Sequence, residues 1–139
     1  MTDAKRENRA LVFAGTTEGG AIAAFLCNAG VKVHVCVATE YGRSCIPEGC
    51  PAEVSDHPLK PEEMRALMKE YPVVVDATHP YADHVTGTLQ AVCAETGTEY
   101  LRLLRAEEHA GTENCVFVED TAAAVEYLNR TEGSVLLTV

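Results

Sequence analysis

Residues 10–20, with the sequence ALVFAGTTEGG, decide the fold of this chain. The first five form a short, wholly apolar run that ends at Gly15, which is typical of a buried β-strand. Thr16 and Thr17 can then cap a helix that begins at Glu18. A strand, a glycine turn and a helix in this order direct the unpaired N–H groups of a helix N-terminus at a bound anion. The segment therefore predicts a phosphate-binding βα turn.

The glycines of this turn are spaced G-x-x-x-G-G, which matches neither the G-x-G-x-x-G dinucleotide fingerprint nor a P-loop. Two interpretations stay open at this point: a phosphate site over Gly15–Gly19, or an ordinary βα turn with a threonine cap. In a phosphate site, the threonine hydroxyls would donate hydrogen bonds, and Gly15 would adopt the turn and let the phosphate approach the backbone. The Glu18 side chain would point away, as a first-turn acid or a ribose contact. The glycine pair at 19–20 would let the helix pack closely on the sheet.

Apolar runs and helical patterns alternate along the rest of the chain. We expect strands over 10–14, 31–38, 52–55, 73–76, 99–104, 115–118 and 134–138, and helices over 18–28, 61–71, 80–95 and 121–129. Strands separated by helices indicate βαβ units with right-handed crossovers. The predicted fold class is α/β, a Rossmann-like, doubly wound, mostly parallel sheet with helices on both faces.

The domain organisation follows from the two ends of the chain. Residues 1–8 are expected to form a polar leader, and residues 9–139 a nucleotide-binding α/β domain. The last apolar run reads as a strand with no closing helix after it. We therefore expect this sequence to be cut from a longer protein that carries a second, substrate-binding domain.

Composition excludes several classes of function. The 139 residues are 47% hydrophobic and 23% charged, which is ordinary for a soluble globular protein. A net charge of −10 disfavours a nucleic-acid partner. No apolar run approaches the roughly 20 residues that span a bilayer, and the first residues lack the apolar core of a signal peptide. The sequence thus predicts a cytoplasmic protein without a membrane partner, and its oligomeric state stays open.

Cysteines and histidines do not indicate a metal site. The six cysteines include no C-x-x-C pair and are expected to be reduced thiols that are either core residues or incidental. His79 and His84 are five residues apart, so they would point to different sides of a helix. We expect no metal.

The end of the second strand, residues 38–43, lies where an adenosine ribose would bind in such a fold. Glu40 could accept a hydrogen bond from the 2′-hydroxyl of NAD, whereas Arg43 could pair with the 2′-phosphate of NADP. The choice between NADPH and NADH therefore stays open. A plain surface loop is the alternative interpretation.

A second motif, DATHPYA at residues 76–82, follows the fourth strand. The first and fourth strands are neighbours across the switch point of a doubly wound sheet, so this loop should face the phosphate turn. Thr78 is expected to cap the next helix, Pro80 to begin it, and His79 to project into the crevice. Alternatively, His79 bonds only to local backbone. Asp76 is expected to bond to backbone N–H groups of its own loop.

These motifs, together with Leu11–Gly19, Val37–Gly42 and Tyr100–Leu103, resemble the precorrin-6A reductase family. The resemblance implies a nicotinamide-dependent reductase with two α/β domains and a tetrapyrrole, precorrin-6A or its cobalt form, bound between them. It implies hydride transfer from NADPH or NADH to the macrocycle. The implied cofactor contacts are Gly15, Thr16, Thr17, Glu18, Gly19, Thr39, Tyr41, Arg43 and Thr78. The implied substrate contacts are His79, Pro80 and Tyr81. A proton must also reach the reduced product, and His79 or solvent could donate it.

Three features depart from the family pattern. Gly20 stands where the family often has arginine, which could weaken a phosphate contact. Arg105-Ala106-Glu107 replaces a typical arginine-proline. The sequence also ends where the family continues into a second domain, so we expect the chain alone to bind cofactor weakly and to be inactive.

Two other functions remain open from the sequence. One is a two-domain reductase of the dihydrodipicolinate-reductase type, which also carries aspartate, threonine and proline after the fourth strand but begins with a different glycine pattern. The other is a non-catalytic nucleotide-sensing module, which needs the phosphate turn but no tetrapyrrole cleft.

Overall fold

The computed structural model describes residues 8–104 and 113–137. The chain divides into two units, Met1–Ala106 and Glu107–Val139. The leader up to Glu7, the departure at residues 105–107 and the last two residues of the sequence lie outside the described residues.

The first unit alternates strands and helices as the sequence predicts. In chain order they are β1 (Arg9–Phe13), α1 (Thr17–Asn28), β2 (Lys32–Cys36), α2 (Glu40–Ser44), β3 (Glu53–Ser55), α3 (Pro61–Met68), β4 (Val73–Asp76), α4 (Asp83–Thr96) and β5 (Glu99–Arg102). The strands form one sheet in the order β3-β2-β1-β4-β5, and every pair is parallel. This confirms the Rossmann-like, doubly wound fold and places the switch point between β1 and β4.

Alternating side chains of β1 enter two separate cores. Leu11 and Phe13 pack with Met68 of α3 and Leu89 of α4. Val12, on the opposite face, packs in the cluster that includes Ala23 of α1, Val35 and Val75. Because both faces of the sheet are covered by helices, the strands are almost continuously apolar, as buried parallel strands are.

Local sequence signals set the helix boundaries well. Helix α1 is followed by Gly30 with φ of 81°, and Gly97, with φ of 68°, is the C-cap of α4. Only glycine adopts this left-handed conformation at little cost, so both stop a helix. Pro61 stands in the first turn of α3, where its missing N–H is not needed.

Two expectations near the carboxyl edge of the sheet were wrong. The second strand ends at Cys36 instead of continuing into residues 38–43. Residues 40–44 form the short helix α2, neither strand end nor plain loop, because the Thr39 side chain accepts a hydrogen bond from the Gly42 N–H. Helix α4 begins at Asp83 after an Ala82 cap, so Pro80 does not start it and Thr78 does not cap it. The Thr78 hydroxyl is instead engaged by Asp76.

The second unit contains helix α5 (Thr121–Asn129), which the sequence predicts. Its Asp120 cap accepts a hydrogen bond from the Ala123 N–H. The strands predicted at 115–118 and 134–138 are wrong for residues 113–137, where the structure describes no strand. Their apolar pattern anticipates burial, yet Phe117 is 80% exposed and Leu136 is 86% exposed. An apolar run becomes a strand only when another strand supplies hydrogen bonds.

The described cysteines are free thiols. The sequence spacing did not anticipate that Cys27 of α1 and Cys50 would lie with their sulfurs 3.8 Å apart. Burial is the larger cause of a raised pKa of the Cys27 thiol, and the neighbouring Cys50 raises that pKa further. No helix within residues 8–104 and 113–137 is long and apolar enough to cross a membrane.

Candidate functional site

Three loops leave the sheet at the same edge. Phe13, at the end of β1, pairs in register with Cys36 of β2 and with Asp76 of β4. The turn after β1, the segment before α2 and the loop after β4 therefore start side by side. This is the edge at which open α/β sheets bind ligands, next to the switch point.

Thr16 joins the first of these loops to the third. As the N-cap of α1 it accepts a long hydrogen bond of 3.4 Å from the Gly19 N–H. Its hydroxyl donates to the backbone oxygen of Ala77 at 3.3 Å. The start of α1 is thereby attached to the loop after β4, as the predicted proximity of the two motifs requires.

Gly15 leaves open space beside the start of α1. A Cβ built on Gly15 would have no heavy atom within 4 Å. Its φ is not in the left-handed region, so the turn itself does not require glycine. The turn conformation that the sequence suggested for Gly15 is therefore not what requires glycine, and the backbone at this position is open on its Cβ side.

Gly19 and Gly20 are both required by close packing, but against different neighbours. A Cβ on Gly19 would lie 2.6 Å from the Cβ of Ala14 at the end of β1. A Cβ on Gly20 would lie 1.9 Å from the carbonyl oxygen of Cys45, just after α2. An arginine at position 20 would force that backbone to move, so this departure from the family pattern is coupled to how α1 meets residues 45–46.

The next two residues of the turn bond to each other. The exposed Thr17 hydroxyl donates to a carboxylate oxygen of Glu18 at 3.2 Å. Glu18 is the acidic residue in the first turn of α1, where the helix dipole favours negative charge. The Glu18 carboxylate therefore lies in the favourable field of the helix N-terminus, where a phosphate would also bind.

Helix α2 lies against the turn at Gly15. Gly42 is buried, and a Cβ there would lie 3.4 Å from the Cα of Gly15. Tyr41 is 67% exposed. Arg43 forms an ion pair with Asp56 at 3.3 Å, and both side chains are more than half exposed. Such exposed pairs contribute little, so Arg43 can exchange Asp56 for another anion at small cost.

Asp76, at the end of β4, is fully buried. Its Oδ1 accepts hydrogen bonds from the Thr78 N–H at 3.1 Å, the Thr78 hydroxyl at 2.7 Å and Arg102 Nη1 at 2.6 Å. Its Oδ2 accepts from the Thr86 hydroxyl at 2.9 Å and the Tyr100 hydroxyl at 2.7 Å. We call these five residues the Asp76 cluster. The expected bond to backbone of its own loop is present, but most donors come from α4 and β5.

The Asp76 cluster keeps its carboxylate ionised. Burial alone would raise the pKa of Asp76, but the hydrogen bonds from Thr78, Tyr100 and Thr86 hold that pKa below its ordinary value. Burial and the bond to Asp76 raise the pKa of Tyr100 to about 12, so its phenol stays a donor. The site thus contains a charged anchor that does not change protonation near neutral pH.

Arg102 extends the cluster along the loop. Nη1 also donates to the Thr78 hydroxyl at 3.1 Å, and Nη2 donates to the backbone oxygen of His79 at 3.4 Å. Beyond this point His79, Pro80 and Tyr81 are exposed. The Tyr81 N–H donates to His79 Nδ1 at 3.2 Å, and the two rings lie 5.0 Å apart. The bond of His79 to local backbone, left open by the sequence, is present.

Sequence reasoning missed three members of the cluster: Thr86, Tyr100 and Arg102. A signal was available in the alternation of β5, since Tyr100 and Arg102 are two residues apart and so share a face of the sheet. An aspartate at the end of a buried strand also needs a partner, because an unpaired buried charge is costly. Neither signal identifies the partner without the strand order.

The family model and the curated relatives that this chain matches indicate the same protein family. The family model described as Precorrin-6x reductase CbiJ/CobK matches residues 9–139. The cobalt-precorrin-6A reductase of Priestia megaterium is 28% identical over 130 residues, which are 92% of this chain and 51% of that protein. The precorrin-6A reductase of Mycobacterium tuberculosis H37Rv is 34% identical over 118 residues, 84% of this chain and 47% of that protein.

A solved structure described as CobK precorrin-6A reductase superposes with a TM-score of 0.69 and 27% sequence identity. The match covers 86% of this chain and 47% of that chain. A yeast saccharopine dehydrogenase, at 13% identity and a TM-score of 0.56, shares the fold alone. The chain spans about half the length, or less, of the curated relatives it matches.

Proposed function

The chain belongs to the precorrin-6x reductase family, CbiJ/CobK, and we propose that it is the cofactor-binding part of an enzyme that reduces the precorrin-6A macrocycle, or its cobalt form, in cobalamin biosynthesis. The observation that carries the proposal is that three segments meet beside the switch point: the turn at Gly15, helix α2 and the loop fixed by the Asp76 cluster. A dinucleotide is the ligand class that such an edge accommodates.

The residues fit a reduced nicotinamide dinucleotide, NADPH or NADH. The open space beside Gly15, into which a side chain at that position would project, would admit a pyrophosphate against the N-terminus of α1. Thr16, Thr17, Glu18 and Gly19 would surround it. The adenosine ribose would then lie at Thr39, Tyr41 and Arg43 on the β2 side. When bound, the cofactor supplies the hydride.

The loop after β4 would face the other half of the cofactor. With the pyrophosphate over β1 and the adenosine over β2, the nicotinamide extends towards β4, where Thr78 lies. His79, Pro80 and Tyr81 are exposed beyond it and would contact the tetrapyrrole. The Tyr81 N–H donates to His79 Nδ1, a bond that belongs to the neutral ring. As an imidazolium, His79 would donate a proton to the reduced product and return to this neutral form. Solvent is the alternative donor.

Both cofactors are compatible with the β2 end. Glu40, the first residue of α2, suits a ribose 2′-hydroxyl, and Arg43 suits a 2′-phosphate. Parallel titrations with NADPH and NADH decide between them. The variant Arg43→Gln tests whether Arg43 binds the 2′-phosphate. If it does, the variant should lower the affinity for NADPH and leave the affinity for NADH unchanged.

Cofactor binding tests the proposal, with two glycines as a matched pair. Both Gly15 and Gly87 have no heavy atom within 4 Å of a built Cβ, so an alanine fits the fold at either. Gly15→Ala should weaken NADPH or NADH binding about tenfold or more, because the methyl group fills the pyrophosphate space. Gly87→Ala, in α4, should not. Equal effects of the two variants, or no binding by the unaltered chain, would contradict the proposal.

Reduction itself is measured in the full-length enzyme, because we expect the chain alone to be inactive. The assay uses precorrin-6A and the preferred cofactor and follows the change in macrocycle absorbance. We expect His79→Gln to slow turnover if His79 donates the proton, and to leave it unchanged if solvent does. Tight cofactor binding without any effect of tetrapyrroles would instead favour a nucleotide sensor.

A further inference from the structure

We infer that Arg102 is a positioning residue, which fixes the loop after β4 in the conformation that receives the nicotinamide end of the cofactor. The inference rests on the proposed function, because it assumes that a nicotinamide dinucleotide binds at this edge. Arg102 itself would not contact the reacting atoms. It acts through Thr78 and the backbone of His79.

The loop is held from two sides. On the side of β1, the Thr16 hydroxyl donates to the backbone oxygen of Ala77 at 3.3 Å. On the side of β5, Arg102 donates to the Thr78 hydroxyl at 3.1 Å and to the His79 backbone oxygen at 3.4 Å. The first contact ties the loop to the phosphate turn, and the second sets where its exposed end lies. Loop geometry is therefore coupled to both halves of the cofactor site.

The guanidinium is suited to this role by its shape. One nitrogen, Nη1, lies 2.6 Å from Asp76 Oδ1, and the other reaches the His79 carbonyl. Asp76 is wholly buried and ionised, so it fixes the arginine in one orientation. Because the guanidinium is planar, holding it at one end also fixes the directions of its remaining N–H donors, with no further loss of side-chain freedom. Lysine offers a single charged nitrogen and cannot make both contacts at once.

Positioning is separable from folding at this residue. Without Arg102, Asp76 would still accept hydrogen bonds from Thr78, Thr86 and Tyr100. The Arg102 side chain is 16% exposed, at the outer side of the cluster. A variant that removes the guanidinium should therefore fold, while the end of the loop loses its restraint.

Two ligands distinguish positioning from a general effect on the site. The reduced cofactor that binds more tightly carries the nicotinamide, whereas ADP-ribose (or its 2′-phosphate, if NADPH is preferred) has the same pyrophosphate and adenosine without it. Arg102→Gln should weaken binding of the reduced cofactor at least about fivefold, the scale of one or two lost hydrogen bonds, and leave ADP-ribose binding unchanged. Arg65→Gln, at an arginine paired with Glu95 outside the site, should change neither.

The conservative variant Arg102→Lys separates the charge from the fork. Because lysine keeps the positive charge, we expect the thermal unfolding midpoint of Arg102→Lys to lie close to that of the unaltered chain. Its cofactor binding should still be weakened, and its ADP-ribose binding should be unchanged. If Arg102→Lys kept the full cofactor affinity, or if Arg102→Gln weakened both ligands equally or neither, Arg102 would have only a structural or electrostatic role and the inference would be overturned. Failure of the unaltered chain to bind either ligand would reject the proposed function instead.

Discussion

Two arginine–carboxylate pairs in this protein have the same shortest N–O distance and different surroundings. Arg102 lies 2.6 Å from Asp76, with side chains 16% and 0% exposed. Arg65 of α3 lies 2.6 Å from Glu95 of α4, with side chains 40% and 51% exposed. Arg65 donates to both carboxylate oxygens of Glu95, whereas Arg102 donates to one carboxylate oxygen of Asp76. The exposed pair thus has the fuller hydrogen bonding, so a greater energetic importance of the buried pair comes from burial.

The difference teaches what each pair contributes. Water solvates Arg65 and Glu95 almost as well apart as together, so an exposed pair of this kind adds little to stability. Asp76 has no access to water, and its charge depends entirely on its protein donors. The exposed pair joins α3 to α4, whereas the buried pair lies beside the loop after β4 and, by our inference, sets the shape of that loop.

The strongest way to break the comparison is to remove the two carboxylates. Asp76→Ala removes the acceptor that the donors of its cluster share and leaves the Arg102 charge without its partner, so it should lower the free energy of unfolding by about 3–5 kcal/mol. Glu95→Ala should leave the urea midpoint unchanged. Urea unfolding followed by circular dichroism measures both. Similar losses in the two variants would show that burial does not separate the pairs.

Removing the two arginines tests the same contrast with a smaller effect. Arg102→Gln should cost about 1.5–3 kcal/mol, the range for hydrogen bonds to a charged group, because the other donors still serve Asp76. Arg65→Gln should have no measurable effect in the same unfolding assay. A loss for Arg102→Gln as large as that for Asp76→Ala would mean that the carboxylate depends on the arginine alone.

Single neutral donors should contribute less again. Tyr100→Phe and Thr86→Val each remove one hydrogen bond to Asp76 Oδ2 without changing the side-chain shape much. Each should lower the free energy of unfolding by about 1–2 kcal/mol. Tyr81→Phe is the control, because Tyr81 is 88% exposed, and its midpoint should not move. An unchanged midpoint for Tyr100→Phe would argue against its hydrogen bond to Asp76.

The smallest expected effect is the pH dependence of the contribution that Asp76 makes to stability. The pKa of Asp76 is lower in the folded protein than its ordinary value, so its contribution is complete above the unfolded-state value of about 3.9 and is lost as the pH falls through the folded-state value. The stability advantage of the unaltered chain over Asp76→Asn should therefore be constant near neutral pH and shrink in acid. Urea unfolding at a series of pH values measures this. An advantage that grew in acid would contradict the sign.

Much of the fold was predictable because the decisive signals are local. The apolar run 10–14, Gly30 and Gly97 place β1 and the ends of α1 and α4 correctly. Helix α2 was missed because its cap, Thr39, precedes only one helical turn. The strands predicted at 115–118 and 134–138 failed, within the described residues, because an apolar run does not specify a hydrogen-bonding partner.

The candidate site was predictable in its location and not in its internal contacts. The doubly wound topology expected for the alternating elements makes β1 and β4 neighbours, and this brings the turn at Gly15 next to the loop after Asp76, as expected. The role assigned to Thr78, a helix cap, was wrong, because its hydroxyl bonds to Asp76 instead. The cofactor and substrate contacts inferred from the family resemblance stay predictions.

By itself, the sequence determined an alternating α/β chain with a glycine turn after its first strand, because short-range periodicity, caps and glycines act within a few residues. Only the tertiary structure decided what Asp76 and Gly20 do. The donors of Asp76 include Thr86, Tyr100 and Arg102, which lie 10, 24 and 26 residues away along the chain. Gly20 meets the Cys45 carbonyl oxygen, on a segment that follows the next strand. Contacts between distant segments depend on how the strands are ordered and packed, and no local pattern encodes them.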